Sequence, residues 1–180
     1  MRVLVTGGSR GLGRAICEAY LARNDQVAFT SRKEASIDGA LWIQGDVSDA
    51  KHAAAAVDAV VAKWGGIDVL VNNAGQMQVL PLALLEEADW DKAFATNVKG
   101  AFLFSRAALK HMLKAKKGHI LNVGSFGADR VVEAPVHYAA TKAALHGFST
   151  ALAKEVGRYG VAVNYIASGI LQGGVAARQS

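Results

Sequence analysis

Tyr138-Ala-Ala-Thr-Lys142 is the pair of side chains with the plainest chemistry in this chain. On a helix, i, i+4 spacing puts a phenol and an ammonium on one face. A nearby cation favours the phenolate, so a tyrosine whose unperturbed pKa is ~10 is expected to move toward the working range of a proton donor. Read alone, the pair is equally an aromatic and a solvated lysine on an ordinary helix. Other polar residues fall in step with it. Asn72-Asn-Ala-Gly75 follows one apolar run, Ser125 ends another, and Asp46 closes a third in Gly45-Asp-Val-Ser-Asp49. Asn97 lies inside a long helical pattern, where asparagine has poor propensity. Each has a local explanation as a turn, a loop residue or a helix irregularity. Their placement at successive strand ends points to one site.

A second chemistry opens the chain. Val3-Leu-Val-Thr-Gly-Gly-Ser-Arg-Gly-Leu-Gly13 is an aliphatic run that ends in glycines and passes into a helical apolar pattern at Ala15, Ile16, Ala19 and Tyr20. Strand, glycine turn and helix place backbone N–H groups and the positive helix end where a phosphate can sit. Such turns also occur merely to supply positive φ. As a cradle, this one offers Gly7, Ser9, Arg10, Gly11, Leu12 and Gly13. The second apolar run ends Phe29-Thr-Ser-Arg-Lys33, with no acid before Glu34. A carboxylate there would read the ribose 2′-hydroxyl of NAD. Instead Ser31 and Arg32 stand at that edge, and Arg10 and Arg32 can converge on a 2′-phosphate. The expectation is NADP(H); two solvated surface arginines are the alternative.

These residues need a scaffold that brings strand ends together. Apolar runs near 2–6, 26–30, 40–44, 68–71, 118–124 and 161–166 alternate with helical patterns near 12–23, 49–63, 89–115 and 137–157. Asp49 and Asp89 are candidate N-caps, and Gly65–Gly66 and Gly118 candidate helix stops. The alternation predicts an α/β fold, a doubly wound parallel sheet of order 3-2-1-4-5-6 with its ligand at the strands' C-terminal edge. Lys33 to Ala40 is too short for a crossover helix.

Bulk properties exclude several classes. At 180 residues, 52% hydrophobic and 19% charged, the chain fits one domain over 1–180 and not a disordered segment. No apolar run approaches the ~20 residues of a membrane span, and Met1-Arg2 leads straight into a strand without room for a signal peptide. The single cysteine, Cys17, reads as a small core residue in a reducing cytoplasm. A net charge of +5 is scattered apart from Lys110, Lys114, Lys116 and Lys117 at a helix end, so nucleic acid is not expected as a partner. Five histidines without ligand spacing indicate no metal site.

With these motifs in order, the sequence resembles the short-chain dehydrogenase/reductase family, most closely the bacterial 3-oxoacyl-[acyl-carrier-protein] reductases. Thr6-Gly-x-x-x-Gly-x-Gly13 has the spacing of the family's short single-domain branch; the sugar-nucleotide epimerase branch would want glycine where Arg10 stands. The resemblance implies a catalytic set of Asn97, Ser125, Tyr138 and Lys142, and a ribose side made by Asn73, Ala74 and Gly75. It implies Asp46, with Val47, at the adenine, and Gly169 and Ile170 near the nicotinamide. The implied reaction is reversible carbonyl reduction. Hydride comes from the nicotinamide, Tyr138 delivers a proton, and Ser125 holds the carbonyl oxygen. Lys142 binds ribose hydroxyls and biases the tyrosine, and Asn97 holds a water that relays protons. A 3-oxoacyl thioester or a related ketone would be the substrate, and a homodimer or homotetramer the assembly. Its contacts would draw on Leu103, Phe104, Leu145, Phe148 and Leu152, which suit core and interface alike.

The pattern breaks at Ser168-Gly169-Ile-Leu-Gln-Gly173, where the family has a Pro-Gly pair followed by threonine. Family members also run on into lid helices and a seventh strand, which is expected to be missing here. Three readings follow: a fragment of a longer reductase, a naturally short reductase, or a module that senses NADP(H) without turnover.

Overall fold

β1 (Arg2–Thr6) is buried from Val3 onward, so both faces of the strand must be covered. The computed structural model, which describes residues 1–128 and 134–169, achieves this with a six-stranded parallel sheet of order β3-β2-β1-β4-β5-β6. The other strands are β2 (Gln26–Ser31), β3 (Leu41–Gln44), β4 (Val69–Asn72), β5 (Gly118–Val123) and β6 (Val161–Ile166). Successive side chains go to opposite faces. Leu4, Ala28, Leu70, Ile120 and Val163 pack with Val57 and Phe104 on one side. Val3, Val5, Val27, Phe29 and Val71 pack with Cys17 on the other. Phe29 and Leu4 are fully buried, worth about 2–3 kcal/mol each by area removed from water.

The helices are α1 (Gly11–Leu21), α2 (Ala50–Trp64), α3 (Glu87–Phe94), α4 (Gly100–Ala115) and α5 (Val136–Val156). In α2, Ala53, Ala56, Val57 and Val60 repeat at helical spacing and are all buried. Asp49 caps this helix by accepting the Lys51 N–H at 2.8 Å, and Gly65 ends it in the left-handed conformation at φ 77°. Arg2 grips Asp68 through Nε and an NH group at 2.9 and 2.8 Å, which ties β1 to the start of β4. The eight residues 33–40 carry no helix, and buried Ile37 lets them cross under the sheet against the Phe29 side.

Three expectations about elements are corrected. The 89–115 pattern is broken into α3, a π-helical turn at Ala95–Lys99, and α4. Asp89 is not a cap: it lies in the first turn of α3, whose N-cap position is Glu86. Gly118 does not stop α4; Lys116 does, at φ 49°, and Gly118 opens β5. In the first and third cases the patterning was right in kind, but a π-helical bulge or a left-handed residue set the boundary; α3 simply starts three residues earlier, from an extended Glu86. The five apolar residues left open between core and interface face inward: Leu103, Phe104, Leu145 and Leu152 are buried, and Phe148 is partly buried against the core that holds Leu103, Phe104 and Leu152. Trp90, Phe102 and Leu113 are the large apolar groups exposed on α3 and α4.

Candidate active site

The C-terminal strand ends open onto a cavity of about 1010 Å³. At one end lies the glycine turn. Gly7 has φ +66°, and a Cβ there would stand 2.9 Å from the Ala74 Cα; a Cβ on Gly13 would stand 2.3 Å from the Gly7 carbonyl oxygen. Only glycine permits this closeness of loop, helix and β4 exit. Asn73 holds the turn from the other side. Its Nδ2 donates to the carbonyls of Thr6 and Gly7 at 3.0 and 3.1 Å, and its own N–H, like that of Ala74, donates to Thr6 Oγ1 at 3.0 Å. A dinucleotide needs such a cradle at a helix N-terminus, and the α1 end with Ser9, Gly11 and Leu12 lines the cavity.

Arg10 is exposed at the N-cap of α1, and Arg32 extends from the end of β2; both line the cavity. Arg32 faces Asp46 at 4.0 Å. The Asp46 carboxylate accepts the Ser48 N–H and hydroxyl at 2.9 and 2.7 Å. Burial pulls its pKa up, but the Ser48 bonds and Arg32 outweigh it and hold the group below the usual carboxylate range. Val47 is buried beside it against Gly100. Ser31 has its hydroxyl engaged within the protein, donating to the Lys33 carbonyl at 2.7 Å and accepting from the Trp42 indole at 2.8 Å.

At the other end, α5 presents Tyr138 and Lys142 to the end of β5. Lys142 is 4% exposed, and its Nζ donates to the Val123 carbonyl at 2.8 Å. Burial lowers its pKa to about 8. Nζ lies 5.6 Å from the centre of the Tyr138 ring. The expected depression of the tyrosine pKa is not what the structure holds. Burial pushes Tyr138 above its usual value, and the hydrogen bond with Ser125 only partly opposes this. The ammonium is turned to a backbone carbonyl and its own charge is disfavoured by burial, so desolvation of the phenol wins.

Asn97 sits in the π-helical turn, a feature found often at functional sites. Its side chain, 2% exposed, accepts the Gln76 N–H at 2.8 Å, donates to the Gln76 carbonyl at 2.9 Å, and donates to Thr141 Oγ1 at 3.0 Å. Both of its amide hydrogens are therefore used inside the protein. A Cβ on Gly75 would lie 3.5 Å from Asn97 Oδ1 and 3.7 Å from Lys142 Nζ, so the β4 exit meets these two side chains here. Asn72 faces away, donating to Ser105 Oγ and Asn122 Oδ1 at 3.0 and 2.8 Å in the sheet's own polar network. Gly169 lines the cavity, while Ile170 lies outside the described residues.

A family model described as short chain dehydrogenase matches residues 1–180. The chain is 35% identical to the 3-oxoacyl-[acyl-carrier-protein] reductase FabG of Vibrio cholerae, over 94% of this chain and 72% of that protein. It is 38% identical to D-threitol dehydrogenase of Mycolicibacterium smegmatis, over 91% and 67% of the two chains. A solved structure of ElxO with NADP bound superposes with a TM-score of 0.87 at 30% identity, covering 93% of this chain and 73% of that one. The chain belongs to the short-chain dehydrogenase family.

As a short-chain dehydrogenase it belongs to a family of NAD(P)(H)-linked oxidoreductases. Within that family frame, sequence reasoning passed over two residues beside the site, Thr141 and Tyr165, and read Ser168 only as a departure from the family pattern. Thr141 is wholly buried, accepting from Asn97 and donating to the Tyr138 carbonyl at 2.7 Å. Its position inside the Tyr-x-x-x-Lys spacing was the available signal. Tyr165 and Ser168 lie past residue 160 and reach Gly124 and Ser125 across the sheet, which no local pattern announces.

Proposed function

We propose that this protein is an NADP(H)-dependent oxidoreductase that interconverts a carbonyl and a secondary alcohol. The observation that carries the reading is Tyr138, hydrogen-bonded to Ser125 and flanked by buried Lys142, opening into the cavity whose far end is the glycine cradle. Gly7, Ser9, Arg10, Gly11, Leu12 and Gly13 would hold the diphosphate side of the cofactor. Arg32, with Arg10, would take the 2′-phosphate, and Ser31 would contribute backbone only. Asp46 and Val47 would meet the adenine, Asn73 to Gly75 and Lys142 the ribose, and Gly169 the nicotinamide side. When bound, the cofactor supplies the two-electron reducing equivalent.

The chain's own residues handle the proton. A phenol whose pKa is raised by burial is fully protonated at neutral pH, the form needed to protonate a developing alkoxide. Ser125 would donate to the same oxygen and orient it. Once the phenolic proton has left, the Lys142 charge stabilises the phenolate beside it. Asn97 and Thr141 hold the β4 exit and α5 at fixed separation. Met77, Val79, Leu80 and Phe126 make the substrate half of the cavity mainly apolar, which supports a 3-oxoacyl thioester or a related uncharged ketone.

We further propose that residues 1–180 act as one nucleotide-binding domain in the cytoplasm, where the buried free thiol of Cys17 would be stable, and that it self-associates through exposed Trp90 and Phe102. A light-scattering mass of one chain at micromolar concentration would refute self-association. Steady-state oxidation of NADPH with an acetoacetyl thioester and a ketone panel tests the activity. Tyr138→Phe is expected to abolish turnover while NADPH binding stays nearly intact; a variant with half the wild-type rate removes Tyr138 from the role. Tight NADPH binding without turnover on any carbonyl would favour an NADP(H)-sensing module.

A further inference from the structure

Beyond Val123 the chain leaves the β5 ladder, and the segment Gly124 to Phe126 must satisfy its backbone elsewhere. The end of β6 supplies the partners. The Gly124 N–H donates to the Ile166 carbonyl at 2.8 Å, and the Phe126 N–H donates to the Ser168 carbonyl at 3.0 Å. The Ser168 hydroxyl donates to the Gly124 carbonyl at 3.0 Å. The Ser125 carbonyl accepts the Ala128 N–H at 3.1 Å, and a side chain from β6 reaches the Ser125 backbone as well. The Tyr165 phenol accepts the Ser125 N–H at 3.1 Å and donates toward the Ser125 carbonyl at 3.2 Å, with the Lys142 carbonyl at 3.5 Å.

The phenol is itself fixed. A Cβ on Gly124 would fall 1.9 Å from a Tyr165 ring carbon, so the glycine provides the space the ring occupies. On α5, His146 stacks on the ring, with centroids 4.7 Å apart at 21°. A hydroxyl both gives and accepts, so this one tyrosine can serve as acceptor for the Ser125 N–H and as a second donor to its carbonyl. The same hydroxyl touches the helix that carries Lys142.

We propose that Tyr165 is a positioning residue for the active site, fixing the Ser125 backbone so that the serine hydroxyl stays on Tyr138. This rests on the reductase reading for its effect on rate, but not for its effect on the backbone. Ser168 assists by holding the preceding carbonyl.

Tyr165→Phe tests it, because the ring that packs over Gly124 and stacks on His146 is kept and only the hydroxyl goes. Amide hydrogen exchange, which needs no turnover, is expected to show the Ser125 N–H exchanging at least about tenfold faster, since it loses its acceptor. With NADPH and a ketone, kcat is expected to fall about tenfold while NADPH affinity stays within about twofold, because misplacement near 1 Å can cost ~10²-fold in rate. Ser168→Ala should show the same split to a smaller degree. Unchanged exchange at Ser125 overturns the proposal, as does an equal loss of kcat and of NADPH affinity. If the wild-type protein turns over no carbonyl, the reductase reading fails, and the exchange arm alone decides the role of Tyr165.

Discussion

Removing the Asn97 carboxamide should loosen the site and the fold together. Asn97→Ala deletes three hydrogen bonds, two to the Gln76 backbone and one to Thr141. At about 1 kcal/mol net for each, the loss is ~3 kcal/mol. Alanine's better helix propensity returns about 0.5 kcal/mol. For a chain of this size each kcal/mol moves the melting midpoint by roughly 2–4 °C, so a fall of roughly 5–10 °C is expected by differential scanning fluorimetry. Turnover should fall as well, because Gln76 lines the cavity and Thr141 adjoins Lys142. Asn97→Asp sharpens the test. It keeps an acceptor for the Gln76 N–H but has no donor when ionised and one when protonated, and it sets a carboxyl group where the side chain is 2% exposed. Burial raises such a group's folded pKa, so the neutral acid is favoured and the variant should be relatively more stable at pH 5 than at pH 8. A midpoint within about 2 °C of wild type for Asn97→Ala would refute the reasoning.

Three further outcomes are expected. Lys142 has its folded pKa lowered to about 8 by burial. The unfolded chain therefore binds the extra proton, and stability relative to Lys142→Met should rise with pH from about 8 upward in paired thermal melts; a flat difference curve would contradict a buried ammonium. Cys17 is wholly buried, and desolvation, helped by Glu18, pushes its thiol up to about 12. Native protein at pH 8 should leave a thiol reagent unreacted until denaturant is added, and immediate stoichiometric labelling would overturn that placement. Arg32→Ala should weaken NADPH binding in a fluorescence titration more than NADH binding, by roughly tenfold for a lost charge-assisted contact; tighter binding of NADH by the wild type would count against the assignment.

Much of the scaffold was legible because it is written locally. A strand buried on both faces reads as an aliphatic run, an amphipathic helix reads as Ala53, Ala56, Val57 and Val60, and a left-handed helix end reads as Gly65. Sheet order followed because right-handed crossovers leave few topologies. The π-helical turn at Asn97 was legible only as an awkward asparagine, since an extra residue in a helix leaves no compositional mark. The Glu86 start of α3 and the Lys116 stop of α4 were missed because neither residue type is a usual cap.

By itself, then, the sequence determined which residue types stand at which strand ends: the glycines of the cradle, Ser125, and Tyr138 one helical turn from Lys142. Those are matters of spacing along the chain. Tertiary structure alone decided what these groups experience. Burial reversed the expected direction of the Tyr138 shift, Asn97 turned both amide hydrogens inward to Gln76 and Thr141, and Tyr165 came across the sheet to hold Ser125. The reason is physical: desolvation and hydrogen-bond partnership depend on neighbours forty residues away along the chain, brought near only when the sheet closes.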